Sequence, residues 1–363
     1  MKGLLKYLSP FAPDQSGAVS VFYELGGITV ICDAGGCTGN ICGFDEPRWF
    51  LEKSALFSAG LRDMDAILGR DDRLIEKLQD AASRLDGKFA ALIGTPVPAV
   101  IATDFKALKR MAEKRCGMPV MTVECTGTRM YDRGEEDAYM ELFRTFAGKD
   151  VFQAETVRTA GVIGATPLDT SHVRAGKIIS RRLKEQGYDE VYCYGMGAGL
   201  EEVKKAGNAE RNFVVSPAGI RAARYLEREF GTPWETAYPM LRREWREQLR
   251  GLASKKVLIV HQQIAANEIR REIRSEIGRN EGCRSASERN IICGTWFMQH
   301  PEFAEPQDVT FEREEQFADY MKQEQFDVII GDQMLKRALG KYSGGFIHIP
   351  HFAVSGEYEE DIF

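Results

Sequence analysis

Apolar residues in this chain gather into short unbroken runs, separated by longer stretches that mix charge with regularly spaced apolar positions. The runs read as strands: Ile28–Cys32, Phe89–Gly94, Val120–Cys125, Gly161–Ala165, Glu190–Tyr194, Asn212–Ser216, Lys256–His261, Ile291–Thr295, Asp327–Gly331 and Phe346–Pro350. They do not alternate apolar with polar. Strands of that kind are buried on both faces, as in a parallel sheet covered by helices. The stretches between them have helical period. In Thr310–Gln323, Phe317, Tyr320 and Met321 fall at i, i+3 and i+4, and in Tyr238–Leu252, Leu241, Trp245, Leu249 and Leu252 mark one face. The Arg and Glu residues between them form solvated faces.

Repeated strand–helix units predict an α/β fold with right-handed crossovers. Ten strands exceed one comfortable open sheet, so the chain divides into three Rossmann-like α/β units. These are 1–150, 151–252 and 253–363, the last opening after the small, polar stretch Gly251–Lys256.

Composition narrows the partners. The 363 residues carry a net charge of -6 with both signs spread along the chain, which argues against a nucleic-acid platform. No apolar run approaches a membrane span. The opening MKGLLKYLSP is too short in its apolar part for a signal peptide, so a cytoplasmic protein with reduced thiols is expected.

The chemistry concentrates in Val30–Gly43, VICDAGGCTGNICG. A strand ends at Cys32, and a Gly-rich turn with Gly35, Gly36 and Gly39 carries Cys37 and leads to Cys42. Three thiols beside backbone N–H groups suit an iron–sulfur cluster, whose charge such groups offset. The spacing matches neither a zinc knuckle nor a ferredoxin run. Three thiols cannot complete a cubane alone, so a further ligand would come from elsewhere or from a partner chain. The bland alternative is a strand-end loop with buried cysteines, which is the reading for Cys116, Cys125, Cys193, Cys283 and Cys293.

The loop lacks GxGxxG and a following Lys-Ser/Thr, which argues against a phosphate cradle. A second Gly-rich turn, Gly195–Gly199, follows a strand and reads first as a tight connection. Of the five histidines, His351 lies past Pro350 at the end of the last strand and is the candidate for proton donation or substrate binding, with His261 behind it. No GxSxG elbow is present.

Several stretches resemble the nitrogenase component 1 superfamily, which includes molybdenum–iron protein subunits, cofactor-assembly scaffolds and dark-operative protochlorophyllide reductase. Asn212–Trp234 (NFVVSPAGIRAARYLEREFGTPW) is similar to that family's strand, helix and aromatic-Gly-x-Pro segment. Ile31–Cys37 (ICDAGGC) resembles the loop of its second cluster cysteine, with Cys37 at the cysteine position. Leu56–Leu78 and Val123–Gly134 resemble two further segments, in the right order.

The resemblance implies three α/β domains, an iron–sulfur cluster at a subunit interface and electrons delivered by an ATP-dependent iron protein. By the family pattern, further cysteines belong near Ser9–Ser16 and near Gly94–Pro98, and neither stretch has one. An eight-iron cluster is therefore not expected. Instead, Cys37 with Cys42 or Cys32 from each of two subunits, in a homodimer or with a paralogous subunit, would hold a [4Fe–4S] cluster beside Gly36. Val215 stands where the family's cofactor-anchoring cysteine would be, so a nitrogenase-type iron–molybdenum cofactor is not expected either. The function implied is reduction of a small molecule or tetrapyrrole. The alternatives are a non-catalytic scaffold for a metal cluster and a binding protein without one.

Overall fold

The computed structural model describes residues 5–69, 71–149, 157–275 and 290–361. Cys283 and the expected boundary at Val151 lie outside them. The described strands are β1 (Ile28–Ile31), β2 (Ala55–Ser58), β3 (Ala90–Ile93), β4 (Val120–Val123), β5 (Thr159–Ile163), β6 (Glu190–Cys193), β7 (Arg211–Val214), β8 (Trp234–Thr236), β9 (Val257–Val260), β10 (Ile291–Thr295), β11 (Val309–Thr310), β12 (Val328–Gly331) and β13 (Gly345–His348). They form three sheets, in the orders β2-β1-β3-β4, β6-β5-β7-β8 and β11-β10-β9-β12-β13. All their pairings are parallel.

All ten predicted runs are strands. Three strands were not foreseen, and each is a sheet edge. β2, β8 and β11 are short and only partly buried, so no apolar run announces them. Two helices begin later than their periodicity suggested. Thr310 pairs with Thr295 as part of β11, and the helix starts at Glu314, where the Gln316 side chain accepts from the backbone N–H groups of Glu312 and Arg313. Pro239, which lacks an N–H, helps delay the helix after Tyr238 until Arg243.

The three sheets share one core. A single apolar cluster takes Ile31, Ile93 and Met121 from the first sheet, Ala160 and Val162 from the second, and Val257, Ile259 and Ile330 from the third. The Tyr131–Phe146 helix runs through this junction against the Asp14–Phe22 helix. Two glycines permit their crossing. A Cβ on Gly17 would sit 1.9 Å from the Tyr131 carbonyl oxygen, and one on Gly134 would sit 1.7 Å from that of Asp14.

The ends of the chain tie the sheets together. The Glu314 carboxylate accepts from the backbone N–H groups of Lys6, Tyr7 and Leu8, and the Val173 N–H donates to the Glu359 carbonyl.

Candidate functional site

The cysteine loop leaves the carboxyl end of β1, where ligands of parallel sheets commonly bind. Its shape is set by two carboxylates. Asp33 accepts from the Thr38 N–H (2.8 Å) and from the Ser58 hydroxyl (2.6 Å), which ties the loop to the end of β2. Asp45 accepts from the Ser16 hydroxyl and the Asn40 amide, both at 2.7 Å, which ties it to the Asp14–Phe22 helix. Between these anchors the expected open turn winds up. Gly36–Asn40 is an α-helical turn and Ile41–Asp45 a wider π turn, closed by the Glu46 N–H on the Ile41 carbonyl. Such π turns recur at functional sites. No neighbouring atom lies within 4 Å of where a Cβ would stand on Gly35, Gly36, Gly39 or Gly43, so the loop faces open space.

The three thiols do not share one environment. Cys37 and Cys42 are half-buried and pack against the core common to the three sheets. Cys32 is 2% exposed and belongs to the cluster on the other face of β1, with Val30, Ala59 and Leu74. Burial pushes its thiol up to about 12, and Asp33 adds to this. Burial likewise raises the Cys37 and Cys42 thiols, helped by the carboxylates of Asp33 and Glu46 respectively. No group of three or more Cys, His, Asp or Glu residues converges as a metal site among the described residues.

The expected positions of the two missing family cysteines flank this loop. Thr95, within Gly94–Pro98, donates its hydroxyl to the Cys32 carbonyl at 2.8 Å and also interacts with the Cys37 thiol. Ser16, within Ser9–Ser16, reaches Asp45 as above. Of these two hydroxyls, that of Thr95 stands beside the thiol that remains, and that of Ser16 anchors the far end of the loop.

The second Gly-rich turn is structural at its centre. Glu24 accepts from the Gly197 N–H, and the buried Arg48 guanidinium donates to the Gly195 carbonyl, to Glu46, to Glu24 and to Ser20. Gly197, Arg48, Glu24, Lys53 and Arg174 line a cleft of about 820 Å³ near the amino ends of β1 to β3, opposite the cysteine loop.

His351 is buried, not facing an open cleft. It lies where the carboxyl ends of the sheets meet. Its ring stacks on His261 at 4.3 Å with 6° between planes, and its Nε2 lies 3.0 Å from the Tyr131 hydroxyl. That hydroxyl donates to Asp169 at 2.8 Å, so Nε2 carries the hydrogen and donates to the tyrosine oxygen. Burial holds both imidazoles neutral. His261 is pushed down to about 4, and His351 is lowered further by its stacked neighbour.

Two fully buried carboxyls, Glu135 and Asp169, complete this junction. Sequence reasoning missed them. The available signal was Glu135 standing in the apolar stripe of its own helix, with Tyr131, Ala138 and Leu142.

Three comparisons bear on this arrangement. A sequence profile of the nitrogenase component 1 type oxidoreductases matches residues 15–279. The nitrogenase iron-molybdenum cofactor biosynthesis protein NifE of Klebsiella pneumoniae is 26% identical over 192 residues, which is 49% of this chain and 41% of that protein. The chain thus spans less than half the length of that curated relative. The solved structure of nitrogenase Cp1 at pH 6.5 superposes with a TM-score of 0.70 at 12% identity, covering 98% of this chain and 91% of that one. The same protein at pH 5 gives 0.63 at 14% identity, covering 97% and 85%.

Proposed function

From the premise that this chain belongs to the nitrogenase component 1 type oxidoreductase family, we propose that it holds an iron–sulfur cluster between two subunits and passes electrons to a small molecule or tetrapyrrole. Cys37 and Cys42 of each of two copies supply the four thiolates of a [4Fe–4S] cluster, with Gly36 beside them. Cys32 serves packing instead. The three sheets would correspond to lobes 1–150, 151–252 and 253–363, in a cytoplasmic protein whose described cysteines are all free thiols. No described helix is long and apolar enough to cross a membrane.

One observation carries this reading. The loops after β1, β2 and β3 present Phe44 (74% exposed), Ile67 (75%) and Val100 (84%), with Met64, Leu68 and Ile101, at the same carboxyl end as the two part-exposed thiols. Apolar surface gathered around metal-ligand residues fits a contact that closes over them. A second copy of this chain is the occupant that also supplies the two missing ligands.

The residues fit half a cluster per chain. When bound, the cluster supplies one-electron relay. The chain's own contribution is to exclude water with the apolar rim and to hold the ligand sulfurs on anchored turns. Among the described residues the thiols have carboxylates and no cation beside them, so they stay protonated until metal displaces the protons. An ATP-dependent iron protein is the proposed electron donor.

A scaffold that holds a cluster for transfer is the second reading. It is favoured by the printed role of the NifE relative in cofactor biosynthesis.

Anaerobic purification with iron, sulfide and mass measurement tests the proposal. About four irons per dimer are expected. Cys37→Ser and Cys42→Ser each abolish them, with loss of the visible absorbance. Iron-free protein from wild type, or full iron content in both variants, overturns the cluster reading and leaves a binding protein. Cluster reduction that depends on ATP and an iron protein separates the reductase from the scaffold.

A further inference from the structure

Glu135 and Asp169 meet without a cation. Glu135 sits one turn into the Tyr131–Phe146 helix, and Asp169 lies in the short Pro167–Thr170 turn after β5. Both side chains are fully buried. Each has one oxygen engaged by a hydroxyl donor. Thr166 donates to Glu135 Oε1 at 2.6 Å, and Tyr131 donates to Asp169 Oδ1 at 2.8 Å. Ser216 also interacts with Asp169. The remaining oxygens, Glu135 Oε2 and Asp169 Oδ2, have no donor among the described residues. The two carboxyls interact directly with one another. A pair of ionised carboxylates has only acceptors, so neither orphan oxygen is satisfied unless a proton stands between them.

The surroundings supply no charge that would replace it. Neither carboxyl pairs with a Lys or Arg among the described residues. The titratable groups facing the pair are Asp132, Tyr131 and Tyr139 on its own helix, and His351 beyond Tyr131. Asp132 is occupied with the backbone N–H groups of Met298 and Arg133. Tyr139 donates to the Tyr194 carbonyl at 3.0 Å. From the β5 side come the hydroxyl of Thr166 and, through its hydrogen bond to the Asp169 carbonyl, Tyr238. Two ionised carboxylates in this setting would repel with nothing to screen them.

We propose that Glu135 and Asp169 form a proton-binding site that holds one proton between them at the junction of the three sheets, linked through Tyr131 to His351. This deepens the reductase reading, because each electron added to a substrate must be matched by a proton. The link balances as a chain of transfers. A proton arriving at His351 Nδ1 lets the Nε2 proton pass to the Tyr131 oxygen as the tyrosine's own proton passes to Asp169 Oδ1. His351 is left neutral with its hydrogen on Nδ1, the Tyr131 hydroxyl is re-formed with the proton from Nε2, and a carboxyl pair that was empty before the transfer now holds its one proton. The reverse order releases it. The stacked His261 is not part of this chain, since its Nε2 donates to the Pro350 carbonyl and its Nδ1 accepts from the Gln262 N–H.

Infrared spectroscopy of the full chain tests this whatever its iron content, so failure of the cluster reading leaves the test intact. At about pH 7 the unmutated chain should show the carbonyl stretch of a protonated carboxyl, equal to about one group per chain. Glu135→Gln and Asp169→Asn each leave one buried carboxyl and should shift the band rather than remove it, and the double variant should abolish it. Carboxyl-labelled aspartate and glutamate should each shift the band in the unmutated chain, which keeps the test independent of how the variants fold. Absence of the band, an intensity equal to two groups per chain, or a band that survives in the double variant overturns the shared proton. Tyr131→Phe should slow hydrogen–deuterium exchange of the band by roughly tenfold or more. An unchanged exchange rate overturns the link to His351.

Discussion

Cys32 shows how far a residue's role depends on the face it occupies. It is five residues from Cys37 and looks like its equal in the sequence. In the fold it directly follows β1 and packs into the outer cluster with Leu74 and Ile75, away from the core that Cys37 and Cys42 touch. Its replacement is therefore a packing experiment. Cys32→Ser should lower unfolding free energy by about 1–3 kcal/mol through a hydroxyl buried in apolar surroundings, and iron content should stay at the wild-type level. Chemical denaturation beside iron analysis reads both. Loss of iron in a folded Cys32→Ser protein would return Cys32 to the ligand set. Thr95 makes the complementary point. Nothing in GTPVP marks it, yet it sits against Cys37 because β1 and β3 are neighbours in register, with Ile31 beside Ile93.

Among the elements, the pair of helices Asp14–Phe22 and Tyr131–Phe146 positions both candidate sites. The first carries Ser16, which anchors the cysteine loop, and the second carries Tyr131 and Glu135. Their close approach rests on Gly17 and Gly134, where an added Cβ would meet backbone carbonyls that cannot swing away. Gly17→Ala or Gly134→Ala should each cost about 3 kcal/mol or more by forcing the helices apart. Thermal melting measures it. A variant melting within a degree or so of wild type, on the scale where about 1 kcal/mol shifts a midpoint by 2–4 °C, would show that the crossing relaxes freely. The edge strands teach a related lesson. β2, β8 and β11 exist because a neighbour offers a parallel backbone ladder, not because their own residues form an apolar run.

For the whole molecule, the buried junction links stability to pH through two opposed pairs. Burial raises both carboxyls, Asp169 to about 7, so the folded state holds protons that the unfolded chain has already lost. Their contribution is present at low pH and is lost as pH rises from about 4 towards 7 and, with Glu135, beyond. The imidazoles work the other way. His261, lowered to about 4, and His351, lowered well below its usual value by burial, stay neutral when folded, so their contribution is present above about 6.5 and is lost as pH falls below it. Glu135→Gln should remove the alkaline part. As pH rises above about 4.5 the wild type should lose stability relative to this variant, because the unfolded chain has given up a proton that folded Glu135 still holds. A constant difference in melting temperature across that range would contradict the linkage.

Much of the architecture was legible along the chain. Ten strands declared themselves because a parallel strand covered on both faces needs an unbroken apolar run, and that is a local property; of the ten, the edge strands β6 and β13 are only partly buried, against that expectation. The cysteine loop was legible for the same local reason: a strand end, glycines and thiols lie within Val30–Gly43. The grouping of side chains was not. Cys32 and Cys42 part company across a sheet, whereas Tyr131, Asp169 and His351 come from distant segments to within hydrogen-bond reach. Local spacing fixes periodicity and burial, but which polar atoms meet depends on how three sheets dock. Only the tertiary structure places Glu135 and Asp169 together where water cannot separate their charges.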